Sequence, residues 1–175
     1  SRQRIISHLD DLSYEKEIIN STCESENLKH LNILDLNDLK NRIEIMEKFK
    51  LRKNSSDLIN IISRYTKLAN KGDLEKNIYS VKDLINIKLF EKNSELEVFK
   101  FIQLVENLIT YKKWEYSQLI NLFEENMHIL IEIFDKNNGV MIMSENLNLR
   151  NNRLNLLALV RNYSLLIADF TLLNS

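Results

Sequence analysis

The chain contains no proline and only two glycines, Gly72 and Gly139, in 175 residues. Turn-rich β architectures depend on these residues, glycine for positive φ and proline for a preset φ. A chain so short of both is directed toward the α-helix, which closes its hydrogen bonds locally. The apolar residues agree, recurring at the three- and four-residue spacing of one helix face. They make up 44% of the chain, enough for a core and too many for a disordered polymer. The expected fold class is all-α, a helical bundle with a smaller N-terminal helical lobe over residues 1–53 and a C-terminal bundle over 54–175.

Individual elements follow from that periodicity. Ile5, Ile6 and Leu9 mark a first helix ending near Asp10-Asp11, and Ser13 is the expected cap of a second carrying Tyr14, Ile18 and Ile19. Ser25 to Leu34 reads as a connection anchored by Leu28 and Leu31. Asp35 is the expected N-cap of a helix with Leu39, Ile43, Met46 and Phe49 on one face. After Asn54-Ser55-Ser56 the next helix presents Leu58, Ile61, Ile62, Tyr65 and Leu68, and Gly72 stands where a left-handed C-terminal cap belongs. Residues 73–93 are the least regular, with room for one short helix around Val81 to Leu89. Ser94 reads as the cap of a long helix with Leu96, Phe99, Ile102, Val105 and Ile109 that ends near Lys112 and Lys113. Residues 114–134 read as its antiparallel partner. Lys136-Asn137-Asn138-Gly139 is the strongest turn signal, the apolar run Val140-Met141-Ile142-Met143 follows, and a last helix spans about 146–169.

The charge excludes some functions and narrows others. Net charge is −1, whereas domains that bind nucleic acid by bulk electrostatics are usually basic. Any RNA contact must therefore come from a local patch. The single Cys23 excludes an internal disulfide and a cysteine-rich zinc site, and fits a reducing cytosol. His8, His30 and His128 are scattered, with no partner at metal-ligand spacing. No glycine-rich phosphate loop exists, and Asp10-Asp11 and Glu124-Glu125 have ordinary surface explanations, so no catalytic centre and no metal are expected. No apolar run approaches the length of a membrane span. The opening Ser1-Arg2-Gln3-Arg4 lacks a starting methionine, and the expectation is a fragment of a longer protein.

Four segments form a pattern: Ile133-Phe134-Asp135, then Gly139-Val140-Met141-Ile142-Met143, then Leu149-Arg150-Asn151-Asn152-Arg153-Leu154-Asn155-Leu156-Leu157, and finally Ile167-Ala168-Asp169-Phe170. It resembles the end of the beta subunit of the tetrameric, bacterial-type glycyl-tRNA synthetase. There a helix ends in Phe-Phe-Asp, a Val-Met-Val-Met-like run follows, and Leu-Arg-x-Asn-Arg-Leu-x-Leu-Leu comes next. Upstream, Arg64-Tyr65-Thr66-Lys67-Leu68-Ala69 is similar to the basic helix that opens the DALR-type anticodon-binding domain, and Leu89-Phe90-Glu91-Lys92 is similar to a Leu-Phe-Glu segment. Ile133 in place of the first Phe, the longer turn at Asn137-Asn138 and Asn93 in place of a common Pro depart from the pattern. The resemblance implies a C-terminal, DALR-like anticodon-binding domain that recognises tRNA and supports glycine attachment to tRNA(Gly). It implies as partners tRNA(Gly), the alpha subunit and the rest of the beta subunit, in a tetramer of two alpha and two beta subunits. It places ATP and glycine on the alpha subunit, so no cofactor is expected in this chain. It implies a cytoplasmic protein with no membrane contact.

The candidate tRNA-binding residues are Arg64, Lys67, Lys71, Arg153, Arg150, Lys53 and Trp114. Arg64 and Lys67, with Asn60 and Lys71 to either side, make a polar stripe at helical spacing that is either a solvated face or a phosphate-facing one. Lys53 closes the densest basic run, Lys48, Lys50, Arg52 and Lys53. Trp114, Tyr65, Tyr111 and Tyr116 either pack in the core or stack on unpaired bases, and Trp114 is the best placed because it follows two lysines. In the last helix Arg150 and Arg161 fall within about 20° of each other, with Arg153 about 60° to one side, in or beside the apolar arc. They either lock the helix to a neighbour, paired with Asp135, Glu132 or backbone carbonyls, or form a rim that meets RNA. Asn148, Asn151, Asn155, Asn162 and Asp169 fall on another face that reads as solvated. The alternative function is a helical scaffold that buries a subunit interface without direct RNA contact, motivated by the neutral charge and the apolar last helix.

Overall fold

The computed structural model of the chain describes residues 2–12, 14–24, 33–111 and 113–174. Among the described residues are eight α-helices and no strand, the expected all-α class. They are α1 (Arg2–Asp11), α2 (Lys16–Glu24), α3 (Ile33–Lys50), α4 (Ser55–Ala69), α5 (Asn93–Tyr111), α6 (Tyr116–Glu125), α7 (Met127–Glu132) and α8 (Leu147–Leu165), with short 3-10 turns at Ile87–Leu89 and Phe170–Leu172. No helix among the described residues is long and apolar enough to cross a membrane. Ser13, Lys112 and residues 25–32 of the expected Ser25 to Leu34 connection, with Leu28, His30 and Leu31, lie outside the described residues, and the last two residues of that connection, Ile33 and Leu34, open α3 instead. The chain divides into two compact units, Ser1–Asn60 with Ser164–Ser175, and Ile61–Tyr163.

In the first unit α2 packs on α1, on α3 and on the Phe170–Leu172 turn. Leu39, Ile43, Met46 and Phe49 are fully buried at helical spacing, as are Leu9, Ile18 and Ile19. The edge of Phe49 meets the Phe170 ring at 6.2 Å between centroids, and the Asp169 N–H donates to the Ser21 carbonyl at 2.8 Å. Arg42 is buried without cost in orphaned charge: its Nε donates to Asp38 at 3.1 Å and its Nη1 to the Ile167 carbonyl at 3.1 Å. Two expectations need correction. Asp35 lies inside the first turn of α3, where its charge suits the helix dipole, and does not precede the helix. Tyr14 precedes α2, and its hydroxyl donates to Glu44 at 2.9 Å.

In the second unit α5 is the central support. Val98, Phe101, Ile102, Val105 and Leu108 form its buried stripe, so Leu96, Phe99 and Ile109 are only half-buried flanks. Both α6 and α7 pack on it, and Phe101 meets Phe123 edge to face at 5.2 Å. The single partner helix expected over 114–134 is broken at Asn126. There the carboxamide donates to the Leu122 carbonyl at 2.8 Å, a side-chain bond that competes with continuation of the helix. Ser94 is not the cap of α5. It sits inside the first turn with its Oγ buried and without a hydrogen-bond partner. Glu95 does the work instead, accepting the backbone N–H groups of Glu91 at 2.8 Å and Lys92 at 3.1 Å.

The two glycines differ in how much space they need. Gly72 does not adopt positive φ, so it is no left-handed cap. A Cβ there would lie 3.3 Å from the Leu154 Cβ, and the glycine lets this turn approach α8. At Gly139 a Cβ would fall 2.4 Å from the Ile133 carbonyl oxygen and 2.5 Å from that of Asp135. The Asp135 carboxylate accepts the N–H groups of Asn138 at 2.8 Å and Asn137 at 3.0 Å, and these bonds hold its carboxyl below the ordinary range. A depressed carboxyl stabilises the folded turn above its unfolded pKa and loses that effect as pH falls through the folded one. Gly139→Ala is expected to lower stability in urea titrations by about 1–3 kcal/mol, since the obstructing atoms are backbone.

The irregular segment from Asn70 to Phe90 holds only the Ile87–Leu89 turn, where a longer helix was expected. The turns of this segment pair only some of its carbonyls, those of Glu75, Val81, Asn86 and Ile87, and the rest need water or another element. α8 supplies the donors. Arg161 Nη2 donates to the Leu74 carbonyl at 2.8 Å, and Asn162 donates to those of Glu75 at 2.8 Å and Ile78 at 2.7 Å. The Tyr163 hydroxyl reaches the Tyr79 carbonyl at 2.6 Å, and Asn155 reaches that of Leu84 at 3.2 Å. Asn152 exchanges two bonds with the Asn86 backbone, at 2.8 and 3.0 Å. The asparagine face expected to be solvated is therefore divided: Asn148 and Asn151 are exposed, whereas Asn162 is buried.

Candidate nucleic-acid interface

Three of the candidate residues come together. Arg64 and Lys67 lie on α4 and Lys71 in the turn that follows, all exposed. At about 100° per residue they share one face. The opposite face of α4 is buried through Leu58, Ile61, Ile62 and Tyr65. The Tyr65 hydroxyl donates to the Leu130 carbonyl on α7 at 2.8 Å, and burial pushes its phenol well above the ordinary value. Phe134, just past α7, meets the Tyr65 ring edge-on at 5.3 Å, and the Arg64 guanidinium lies 4.0 Å from the centre of the Phe134 ring. That cation–π contact fixes the arginine while leaving its hydrogen-bond donors turned to solvent chemistry. None of the three cations has a carboxylate partner among the described residues.

The arginines of α8 are placed differently. Arg153 is 3% exposed. Its Nη2 donates to Glu91 at 2.5 Å, its Nε to Glu95 at 3.4 Å and its Nη1 to the Met141 carbonyl at 2.9 Å. Arg161 is also buried, donating to Asn70 and Asn162 at 3.0 Å besides Leu74. Backbone carbonyls were expected partners. Glu132 and Asp135 are not the carboxylates used; Glu91 and Glu95 are, because Asp135 is taken up by its own turn. Arg150 is half-buried.

Lys53 is exposed in the first unit, in the turn between α3 and α4. Of its neighbours in the basic run, Lys50 is paired with Glu15 at 3.3 Å and with Glu17. Trp114 is half-buried against Tyr116, edge to face at 5.2 Å. Tyr111 is the more available ring, 81% exposed, while Tyr65 is fully buried. Among the described residues no group of His, Cys, Asp or Glu side chains could hold a metal ion. Sequence reasoning missed Arg42, Glu95 and the polar column of α8. The last had a legible signal, an asparagine-rich helix in a chain that also carries a long segment without periodicity.

No protein-family model matches the chain. Homologues exist among curated proteins, all carrying the same name. The chain is 29% identical over 165 residues to the "Glycine--tRNA ligase beta subunit" of Gloeothece citriformis, covering 92% of this chain and 23% of that protein. It is 30% identical over 150 residues to the protein of that name from Synechocystis sp., covering 84% and 21%, and 27% identical over 173 residues to that from Acaryochloris marina, covering 96% and 24%. The chain thus spans between a fifth and a quarter of the length of these relatives.

Proposed function

We propose that this chain is the tRNA-recognition module of a glycyl-tRNA synthetase beta subunit and that it meets the anticodon arm. The relatives' shared name supports the enzyme. The observation that carries the RNA contact is the exposed stripe of Arg64, Lys67 and Lys71, unpaired with carboxylates and seated on Phe134. In a chain of net charge −1, an unneutralised cationic face of this kind is the natural seat for phosphates. Arg150 adds a further cation in the same unit, Trp114 offers a ring for stacking, and Lys53 is a separate candidate cation in the first unit. Arg153 serves by joining Glu91, Glu95 and the Met141 carbonyl. Catalysis belongs to a partner: an alpha subunit would bind ATP and glycine, and the chain would work within a cytoplasmic assembly of alpha and beta subunits on tRNA(Gly).

Binding of tRNA to the intact chain, measured against salt, tests this reading. The variant R64A/K67A/K71A is expected to bind about 10- to 100-fold more weakly at low salt. Its slope of log affinity against log salt should fall by about 2, the mark of three lost phosphate contacts. Its melting temperature should fall by no more than about 2–4 °C, because the two lysines are exposed and Arg64 gives up only its contact with Phe134. An unchanged affinity and slope would remove the stripe from the interface.

A further inference from the structure

A cleft of about 640 Å³ opens between the start of α5, α7 and the turn after it, lined among others by Lys92, Ser94, Glu97, Glu132, Asn137 and Asn138. Its volume is that of a small-ligand pocket. Its charged side chains are Lys92, Glu97 and Glu132, with His128 the remaining titratable group. Two of these are engaged: Lys92 Nζ donates to the Asn137 carbonyl at 3.4 Å, and Glu97 pairs with Lys100 at 3.1 Å. The Glu132 carboxylate has no partner among the described residues. Ser94 is 3% exposed, and its Oγ is the one buried side-chain polar atom among the described residues left without a hydrogen bond. Buried hydroxyls are normally satisfied, so this one marks a missing partner.

We propose that this cleft takes an unpaired nucleobase whose Watson–Crick edge carries an exocyclic amino group beside a ring acceptor, as in cytosine and adenine. The unpaired Glu132 carboxylate repels a phosphate beside it and accepts from a hydrogen donor. The amino group donates to Glu132. The Ser94 hydroxyl and the carboxamides of Asn137 and Asn138 donate to the ring nitrogen and, in cytosine, to the carbonyl oxygen. Uracil sets a carbonyl oxygen against Glu132. Guanine is the competing base, because its ring N–H and 2-amino group also donate to a carboxylate, but it leaves the donors of Ser94, Asn137 and Asn138 a single carbonyl oxygen. Recognition of splayed, single-stranded bases on this edge is how proteins read RNA sequence. The proposal rests on the RNA-binding reading above. It gains continuity from the 132–138 segment, which both seats Arg64 through Phe134 and lines the cleft.

Labelled hexanucleotides of cytidine, adenosine, uridine and guanosine, titrated onto the intact chain, test it. The unaltered chain is expected to bind the cytidine or adenosine oligomer about tenfold more tightly than the uridine one, and the two arms identify which base is taken. E132Q should bring that ratio to within about twofold, because a carboxamide serves a carbonyl as well as an amino group. S94A should weaken the preferred oligomer and leave the uridine one unchanged. R64A/K67A/K71A should weaken all four alike and preserve the ratio. Equal binding of all four by the unaltered chain, tightest binding of the guanosine oligomer, or a preference that survives E132Q, overturns the cleft while RNA binding itself stands. Failure of every oligomer to bind overturns both.

Discussion

Replacing Arg153 with methionine is expected to lower the unfolding free energy by about 3–5 kcal/mol in urea titrations. The guanidinium is buried and joins three separate pieces of chain: Glu91 before α5, Glu95 inside it and the Met141 carbonyl. Methionine matches much of the volume and so isolates the charge. Glu95 is fully buried, and in the variant its carboxylate keeps only the two backbone N–H groups at the α5 terminus. An uncompensated charge in such a site is the expensive outcome. Truncating both members should cost less than the sum of the single losses, because the double variant strands no charge. Additive effects, or a loss below about 1 kcal/mol for the single change, would show that Arg153 is not the clasp described here.

Arg161→Leu is expected to cost about 2–4 kcal/mol, for a different reason. The loss leaves the Leu74 carbonyl and the Asn70 side chain short of donors and frees the entry to the irregular segment. Burial already pushes the Arg161 pKa down, a sign of how little water reaches it. Hydrogen exchange should quicken over residues 70–80 in this variant and change little over α5 and α6. Exchange that quickens everywhere in proportion would mean global destabilisation without a local clasp.

The contrast between these two arginines and Arg64 shows what was legible in the sequence. Helix positions were, because apolar spacing reports a helix face directly: Leu39, Ile43, Met46 and Phe49 are buried as expected. Cap residues were not: Asp35 and Ser94 lie inside the first turns of their helices, and Gly72 lacks the positive φ of a left-handed cap. Asn146, read only as the approximate start of the last helix, caps α8 through the N–H groups of Asn148 at 3.0 Å and Leu149 at 3.2 Å. The role of polar residues on α8 was not legible, since it depends on which coil segment lies against them. Angular position alone left Arg153 open between two roles and put Asn162 on a face read as solvated; the carbonyls of Met141, Glu75 and Ile78 place both side chains inside. Stripe residues were legible as a set because helical spacing groups Arg64, Lys67 and Lys71, whereas the seat on Phe134 joins residues 70 positions apart and leaves no local trace.

The scaffold reading of this chain drew on an apolar last helix. Leu154, Leu156, Leu157, Leu159 and Val160 are all buried within the chain itself, so these residues do not supply an exposed apolar interface. The cationic stripe is the face that the proposed function assigns to RNA. Footprinting of tRNA(Gly) on an intact synthetase carrying this chain tests that claim most directly. Protection of the anticodon arm is expected with the unaltered enzyme and its loss with R64A/K67A/K71A, while protection elsewhere on the tRNA persists. An anticodon arm left unprotected by the unaltered enzyme, or protected equally by the variant, would contradict it.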